Sequence, residues 1–294
     1  MTQSFRVLIA LGNHGLATEE GARVETPDPC EIQFRRNVGR PLPGDLVTVD
    51  EYGGVSSILE RRNMFGRGGN RGRFQPVAAN LATLLIVIAP EPAPSVDLLH
   101  RYVAAAHIHG IRPVVIVNKS DIPVPEQAPF THLDDMNVQI VRTQCHGELS
   151  LDGLEPLLED GIHLLAGQSG VGKSSLANAL LPNLSIQTDR LSRSTGKGRH
   201  TTTSARLLKL PGGGWLVDTP GVWEYGLWQM PVTELERGFP EFAAVQGSCR
   251  FRNCTHDHEP GCRVSAAVSR GEIPESRYEA WLSLLSEQQR LASA

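Results

Sequence analysis

Short apolar segments separated by turn residues open the chain. Alternating or apolar residues at strand spacing occupy residues 5–10, 30–34 and 45–49, with Pro41, Pro43 and Gly44 ahead of the third segment. Several short strands in so small a stretch predict a compact N-terminal β-barrel. An OB-fold is the first candidate, and the pattern is equally compatible with an SH3-like barrel.

Predominantly apolar segments follow from residue 80. Three of them have strand length, at residues 84–89, 114–117 and 162–166. Helix-forming stretches lie beside them, at residues 95–109, 151–158 and 175–181. Strands that are apolar on both faces and alternate with helices predict a parallel sheet in an α/β domain. The last such stretch, residues 275–289, predicts a helical tail.

The stretch between these two regions, residues 61–73, is rich in arginine and glycine and has no apolar periodicity. It predicts a loop or linker, and two interpretations of its charge stand side by side: a solvated linker or a phosphate-binding strip for RNA. The candidate RNA-binding residues are Arg61, Arg62, Arg67, Arg71 and Arg73. We therefore expect three domains, at residues 1–73, 74–235 and 236–294.

Composition and charge restrict the possible partners. The chain of 294 residues is 40% hydrophobic with a net charge of -4, so a polyanion would need a local basic patch. No apolar run reaches the roughly 18 residues of a membrane span, and the first residues lack a signal-peptide layout. We expect a monomeric cytoplasmic protein without a membrane partner.

A complete phosphate-binding loop follows the apolar run at residues 162–166. The residues that match its template are Gly167, Gln168, Ser169, Gly170, Val171, Gly172, Lys173 and Ser174, and Ser175 follows them. Glycines let backbone N–H groups turn towards phosphates, at the start of a helix whose dipole favours anions. Lys173 is predicted to reach the β- and γ-phosphates, and the Ser174 hydroxyl to bind Mg²⁺.

Two further motifs lie at predicted strand ends. One is Asn118-Lys119-Ser120-Asp121, whose aspartate suits the ring N–H and amine of guanine and would be unpaired against adenine. The other begins with Asp218 and ends with Gly221, where such proteins place a carboxylate for Mg²⁺ and a glycine near the γ-phosphate. Each is weak alone, and together with the phosphate loop they predict a GTP site. The guanine motif precedes the phosphate loop, the reverse of the ordinary GTPase order, as in a circularly permuted domain.

Residues 192–203 lie between the phosphate loop and Asp218 and are polar and basic, as expected of a switch loop. One of its three threonines should bind Mg²⁺, and Thr202 is favoured. Val222 occupies the position where many GTPases carry the glutamine that orients water. Intrinsic hydrolysis should therefore be slow or depend on other groups, and Arg199 and His200 are candidates within the chain.

Three cysteines and one histidine cluster near the C-terminus: Cys249, Cys254, His256 and Cys262. This set completes a closed tetrahedral site, which predicts one structural Zn²⁺ ion rather than disulfides. His258 is an alternative histidine ligand. Arginines at 250, 252 and 263 interleave with the ligands and are compatible with either a basic surface or simple solvation.

Taken together, these motifs resemble the ribosome small-subunit-dependent GTPases, the circularly permuted family of ribosome biogenesis GTPase A type. The resemblance rests on the motifs above and on the Gly198-Arg199-His200-Thr201-Thr202-Thr203 and Cys249-Arg250-Phe251-Arg252-Asn253-Cys254 segments. It implies an N-terminal OB domain, a permuted GTPase domain and a C-terminal zinc domain. It also implies late binding to the small ribosomal subunit and its rRNA, which stimulates hydrolysis of GTP to GDP, with His200 as the catalytic group.

One departure from the family concerns the loop that closes over guanine, often a Ser-Ala pair and here residues 141–145. Two other functions are compatible with parts of the sequence. One is a constitutive rRNA-binding scaffold with a structural GTP site, which Val222 leaves open. The other is a small-molecule kinase, which Asp121 opposes because that kinase would prefer ATP.

Overall fold

A computed structural model describes residues 3–21, 29–69, 72–145, 149–183, 205–219, 226–245 and 247–293. Within these ranges, no helix combines the length and the apolar character needed to cross a membrane. The elements follow the order of the apolar segments along the sequence.

The N-terminal region is a five-stranded antiparallel sheet that curls on itself. Its strands are β1 (Ser4–Leu11), β2 (His14–Glu19), β3 (Cys30–Gln33), β4 (Leu46–Val49) and β5 (Val55–Ile58). Strand β1 pairs with both β2 and β4, β2 pairs with β3, and β4 pairs with β5. A parallel bridge from Gln33 to Gly54 joins β3 to the start of β5 and closes the circuit. A small separate core fills the interior: Val7, Ala17, Ile32, Val47 and Val55.

The predicted loop at residues 61–73 is wrong in part, because residues 64–68 form a strand. Strand β6 (Met64–Gly68) pairs antiparallel with β7 (Phe74–Ala79) in a separate two-stranded sheet. The side chain of Phe65 is fully buried, while a Cβ at Gly66 would collide with Gln75 on the partner strand. Glycine at this position allows the two backbones to approach closely. Because glycine has no side chain, the strand lacks the apolar alternation by which a strand is predicted from sequence.

The central sheet carries the rest of the fold. Its strands are β8 (Thr83–Ile88), β9 (Arg112–Val117), β10 (Gln139–Arg142), β11 (Ile162–Ala166), β12 (Arg206–Lys209) and β13 (Trp215–Asp218). The order β10-β9-β8-β11-β13 is parallel, as predicted, and β12 is added antiparallel to β13. Strand β1 pairs antiparallel with β12, so the N-terminal sheet continues directly into the central one. The carboxyl ends of the parallel strands share one edge, which is where ligands bind in open α/β sheets.

Five α-helices surround the sheets in the described ranges: α1 (Val96–Ile108), α2 (Lys173–Leu180), α3 (Val232–Leu235), α4 (Arg263–Ser269) and α5 (Glu275–Ala292). Ser95 caps α1, and its hydroxyl accepts a hydrogen bond from the Leu98 N–H at 3.2 Å. The helix-forming stretch predicted at residues 151–158 contains only a 3-10 turn, Glu155–Leu158. Pro156 would lie in the interior of a helix over residues 151–158, where it removes a backbone donor, whereas the first turn of the shorter segment tolerates it.

Helix α5 docks on α1 and fixes the C-terminal region against the central sheet. Arg277 of α5 is almost completely buried, and its guanidinium donates to Glu241 Oε1 at 2.5 Å and to Gly238 O at 3.1 Å. It also contacts His100 Nδ1 of α1 at 3.2 Å. Burial, with help from the Arg277 charge, lowers the pKa of His100 to about 3, so the imidazole is neutral and accepts. A second pair, Arg101 with Glu287, joins the same two helices.

Candidate nucleotide and metal sites

The phosphate loop connects β11 to α2 and has glycine where the backbone requires it. Gly167 and Gly172 have φ angles of 134° and 96°, which L-residues rarely adopt. A Cβ at Gly167 would collide with the Val87 carbonyl, and one at Gly172 would collide with the Asn118 side chain. The second contact shows that the phosphate loop is packed against the guanine motif.

Lys173 begins α2 and bends back over the loop. Its Nζ donates to the carbonyls of Gly167 at 2.8 Å and Gln168 at 2.5 Å. Desolvation lowers the pKa of this ammonium to about 8. A phosphate bound at the loop would favour the charged form of this ammonium.

Asn118 joins the guanine motif to the phosphate loop. Its side chain is 2% exposed, and its amide Nδ2 donates to Val171 O at 2.9 Å. The same side chain accepts at Oδ1 from Thr143 Oγ1 at 3.0 Å. Both polar atoms of the buried amide are therefore satisfied within the protein. Asn118 thus orders the two loops relative to each other, and Asp121 at the end of the guanine motif is exposed.

Thr143 is a site residue that the motif search missed. It is completely buried, and besides holding Asn118 it accepts the Ser120 N–H at its carbonyl at 3.1 Å. Cys145 follows in the same loop, with Sγ 3.6 Å from Asn118 Oδ1. This is the segment that departs from the family's Ser-Ala pair. The signal available in sequence was its position, directly after the apolar strand that follows the guanine motif.

The turn between β8 and α1 anchors both nucleotide loops. Gln168 accepts from the Ser95 N–H at 3.0 Å and donates to Ala93 O at 2.8 Å. Lys119, with a φ of 59°, donates from Nζ to Glu91 O at 2.7 Å. Because the phosphate and guanine loops attach to the same turn, the two motifs form one site although the chain presents them in reversed order.

A cavity of about 160 Å³ lies beside the phosphate loop at the end of β13. Lys173, Ser174, Asp218 and Thr219 contribute its polar lining. Desolvation raises the pKa of Asp218, and the charge of Arg206, its register partner on β12, acts in the opposite direction. This side of the loop brings together Ser174 and Asp218, the two described residues predicted to serve Mg²⁺.

Several predicted site residues lie outside the described ranges: Arg71, Arg199, His200, Thr202, Gly221 and Val222. The predictions for them stay predictions. Ser120 lies in the guanine loop, Ser169 and Gly170 lie in the phosphate loop, and Ser175 lies in the first turn of α2.

The four predicted zinc ligands converge. The ligand atoms of Cys249, Cys254, His256 and Cys262 all lie within 4.8 Å of one another. The Nδ1 atom of His256 is 3.7 Å from Cys249 Sγ and 3.5 Å from Cys262 Sγ. Tetrahedral Zn²⁺ with bonds of about 2.3 Å to sulfur and 2.0 Å to nitrogen separates such atoms by roughly 3.5 Å. The cluster therefore fits a zinc ion, and His258, whose side chain is 84% exposed, is not part of it.

Glu236 orients the histidine of the cluster. Its carboxylate lies 3.3 Å from His256 Nε2, which leaves Nδ1 to face the thiols. A carboxylate on the far nitrogen is the usual way in which a metal-binding histidine is fixed and made more basic. Backbone N–H groups of Arg263 and Ser265 point at Cys249 and Cys262 sulfurs at 3.3 and 3.4 Å.

Two arginines that precede β6 have internal partners. Arg61 forms a double hydrogen bond with the fully buried Asp45, at 2.7 Å for both contacts. Arg62 donates to the carbonyls of Asn80 at 3.2 Å and Leu81 at 2.7 Å. These two guanidinium groups are used to attach the N-terminal sheet and β6 to the central sheet. Arg73 is exposed, and its predicted RNA contact is untested, as are those of Arg67 and Arg71.

The fold and the paired loops define a GTPase in which the guanine motif precedes the phosphate loop. Comparison with known families agrees, since a family model described as RsgA GTPase matches residues 58–228, more than half of the chain. This chain belongs to the RsgA GTPase family and is a GTP-hydrolysing enzyme.

Individual relatives give the same assignment. The chain is 40% identical over 267 residues to a small ribosomal subunit biogenesis GTPase RsgA of Pseudomonas fluorescens, covering 86% of this chain and 78% of the relative. It is 41% identical over 257 residues to the protein of the same description in Chromohalobacter salexigens, covering 84% and 75%.

Two solved structures share the whole architecture. YjeQ from Thermotoga maritima is 28% identical with a TM-score of 0.74 and covers 98% of both chains. YloQ, described as a circularly permuted GTPase, is 26% identical with a TM-score of 0.73 and covers 98% of this chain and 95% of its own. The permuted order of motifs is therefore a property of the fold.

Proposed function

We propose that this enzyme binds the small ribosomal subunit late in its assembly and hydrolyses GTP as a maturation checkpoint, with hydrolysis stimulated by the subunit. The observation that carries the nucleotide part is the Asn118 amide, which connects the guanine motif to Val171 of the phosphate loop. The subunit part is supported by relatives described as small ribosomal subunit biogenesis GTPases at 38–41% identity. The protein acts in the cytoplasm as a monomer.

The proposal divides the chain into three functional parts. Residues 1–73 include an OB-type barrel, supported by five strands in which β1 pairs with β2 and β4 and β3 meets β5 in parallel. An OB barrel is a common oligonucleotide-binding architecture, which suits contact with rRNA. Residues 74–235 form the GTPase domain, and residues 236–294 the zinc-binding domain.

The nucleotide would be bound by groups on both loops. Asp121 would accept from guanine, the backbone of residues 167–174 would donate to the phosphates, and Lys173 would pair with their charge. Ser174, Thr202 and Asp218 would hold Mg²⁺, which neutralises charge on the β- and γ-phosphates. His200 would be the catalytic group, as the resemblance to the family implies, since Val222 offers no side chain that can hydrogen-bond water.

Zn²⁺ at the cysteine and histidine cluster would be structural. Its four protein ligands would fill the tetrahedron, so no position remains for water or substrate.

The experiment is a comparison of GTP and ATP turnover by the zinc-loaded enzyme alone, with small subunits and with large subunits. We expect GTP-specific turnover that small subunits raise many-fold, and loss of the stimulated rate in His200→Ala. Turnover that small and large subunits raise equally would contradict the proposal. Turnover indifferent to every partner would favour the rRNA-binding scaffold instead.

A further inference from the structure

The loop between the first two zinc ligands is the most exposed aromatic and basic feature of the C-terminal region. Residues Arg250, Phe251, Arg252 and Asn253 are all exposed, and 42% of the Phe251 surface is open to solvent. An exposed phenylalanine between two exposed arginines is not explained by packing, because the core of this region is formed elsewhere, by Phe239, Phe242 and Trp281.

This loop, residues 250–253, is rigidly anchored. Both flanking residues, Cys249 and Cys254, belong to the zinc cluster. The Arg250 N–H donates to Gly261 O at 3.3 Å, and the Cys254 N–H donates to Phe251 O at 3.3 Å. Gly261, with a φ of 80°, permits the approach, since a Cβ there would lie 3.0 Å from Arg250 Cβ. An aromatic side chain on such a fixed loop loses little conformational entropy on binding.

The loop is also positively charged in a chain whose net charge is -4. Arg250, Arg252 and Arg263 are exposed, and none of the three guanidinium groups forms an ion pair with another described residue. The nearest acidic side chains have their own partners: Asp257 contacts His258, and Glu259 accepts from Thr255 and from the Asp257 N–H. By contrast, Arg61 near the N-terminal sheet is paired with a buried aspartate. The zinc loop therefore carries positive charge that no described carboxylate neutralises.

The Arg250 guanidinium lies over the Phe251 ring, 5.5 Å from its centroid. This arrangement of a cation and an open aromatic face is the one on which unpaired nucleobases stack, while arginines contact the phosphates. Duplex RNA offers phosphates without an exposed base face. The loop therefore matches RNA with at least one unpaired nucleotide better than it matches a duplex.

We infer that the 250–253 loop binds an unpaired nucleotide of RNA, with its base on Phe251 and its phosphates at Arg250, Arg252 and Arg263. The inference rests on the proposed function for its biological partner, since the small subunit supplies such RNA. It goes beyond that function by naming the residues and the form of RNA that they select.

The test uses zinc-loaded full-length protein and two fluorescent RNAs of equal length and charge, a hairpin with an unpaired loop and a fully paired duplex. We expect Phe251→Ala to weaken hairpin binding by about 5- to 100-fold, on the scale of one lost base–aromatic stack. Phe251→Trp should bind the hairpin as tightly as the wild type. Duplex binding should change little in either variant, and zinc content and RNA-free GTP turnover should stay at wild-type values.

A second pair of variants, one of them a control, tests the proposed contacts between arginine and phosphate. Arg252→Gln should lower the slope of log affinity against log salt by about 1, as expected for one lost phosphate contact. Arg290→Gln, an equally exposed arginine at the end of α5, should leave the slope unchanged. Equal slopes in the two variants would overturn the phosphate contact.

The results separate this inference from the proposed function. Wild-type hairpin affinity in Phe251→Ala, or equal losses for hairpin and duplex, would overturn the inference even if small subunits stimulate hydrolysis. Unchanged hairpin binding combined with weaker subunit binding would assign the loop to a ribosomal protein and also overturn it. Failure of subunits to stimulate the wild type would remove the proposed function and leave the RNA comparison valid.

Discussion

The nucleotide site and the zinc cluster are built in opposite ways. The nucleotide site combines four separated segments, residues 91–95, 118–121, 143–145 and 167–174. Two buried hydrogen bonds of Asn118 and two exposed ones, from Ser95 to Gln168 and from Lys119 to Glu91, join them. The zinc cluster takes all four ligands from residues 249–262, with few apolar side chains of its own. The first is shaped by the fold before any ligand arrives, whereas the second needs its ion to hold the loop together.

The largest test of this comparison is removal of zinc. Structural Zn²⁺ contributes about 10–16 kcal/mol in zinc-finger peptides, so chelation should unfold residues 247–273. The central sheet and the Asn118 contact should persist, because neither touches the ion. Hydrogen exchange measured by mass spectrometry should show lost protection in residues 247–273 and unchanged protection in β8, β9 and β11.

Cys262→Ser should reproduce the effect of chelation, while Cys30→Ser, at an exposed cysteine outside the cluster, should leave zinc content at the wild-type value. Loss of protection in the central sheet on chelation would show that the two regions fold as one unit. Full protection of residues 249–262 without zinc would show that the loop does not depend on the ion.

The second test breaks the nucleotide site. Asn118→Ala deletes the side chain that bridges Thr143 and Val171 and leaves both without their partner. Each buried group left unsatisfied costs about 1–3 kcal/mol, so we expect roughly 100-fold weaker binding of GTP and GDP. Titration with a fluorescent guanine nucleotide measures this loss of affinity, and the zinc content should not change.

Two further variants serve as a milder change at the same contact and as a control. Thr143→Val keeps the shape and removes one hydroxyl, so a loss of about 1 kcal/mol, roughly fivefold, is expected. Asn13→Ala, at an exposed asparagine of the N-terminal sheet, should bind as the wild type. Wild-type affinity in Asn118→Ala would refute the bridging role.

The same contrast explains what the sequence could predict. Zinc ligands and the phosphate loop are local patterns, and residues 249–262 and 167–174 were identified from spacing alone. Thr143 was missed because its role depends on Asn118 and Val171, which only the folded sheet brings together. Strand β6 was missed because Gly66 and Gly68 permit close backbone contact, to Gln75 and to Leu227, without the apolar alternation of a strand.

Arginine side chains also show that partners distant in the sequence cannot be predicted from local patterns. Arg61 and Arg252 look alike in sequence, each near other arginines and glycines or polar residues. Their difference lies in Asp45, which is distant in the chain and fully buried beside Arg61. A count of local charge cannot show which guanidinium groups already have a partner.

The third test alters the support of the zinc cluster. Glu236→Gln keeps the size of the side chain but removes the charge beside His256 Nε2. Loss of such a supporting carboxylate typically lowers metal affinity by about 10- to 100-fold. Competition with a zinc-binding dye should report that loss. Glu234→Gln, two residues earlier on α3, serves as control, and equal zinc affinities of the two variants would contradict the role of Glu236.

The smallest expected effect concerns the protonation of Lys173. Its pH dependence tests whether this part of the nucleotide site changes when the ligand binds. Desolvation lowers the pKa of Lys173 to about 8 from a usual 10.5, so in the free enzyme the ammonium loses its proton as pH rises through 8. Over that window the unfolded chain binds more protons than the folded one, and the free energy of unfolding should rise with pH from about 8 to 10.5.

Nucleotide binding should have the opposite dependence. Phosphates favour charged Lys173, so binding near pH 8 should take up a proton, and affinity should fall roughly tenfold from pH 7 to pH 9. Calorimetry in buffers of different ionisation enthalpy measures the uptake. Lys173→Arg stays charged throughout and should show neither effect. A flat wild-type profile would mean that Lys173 is charged in the free enzyme as well, so that phosphate binding does not change its protonation.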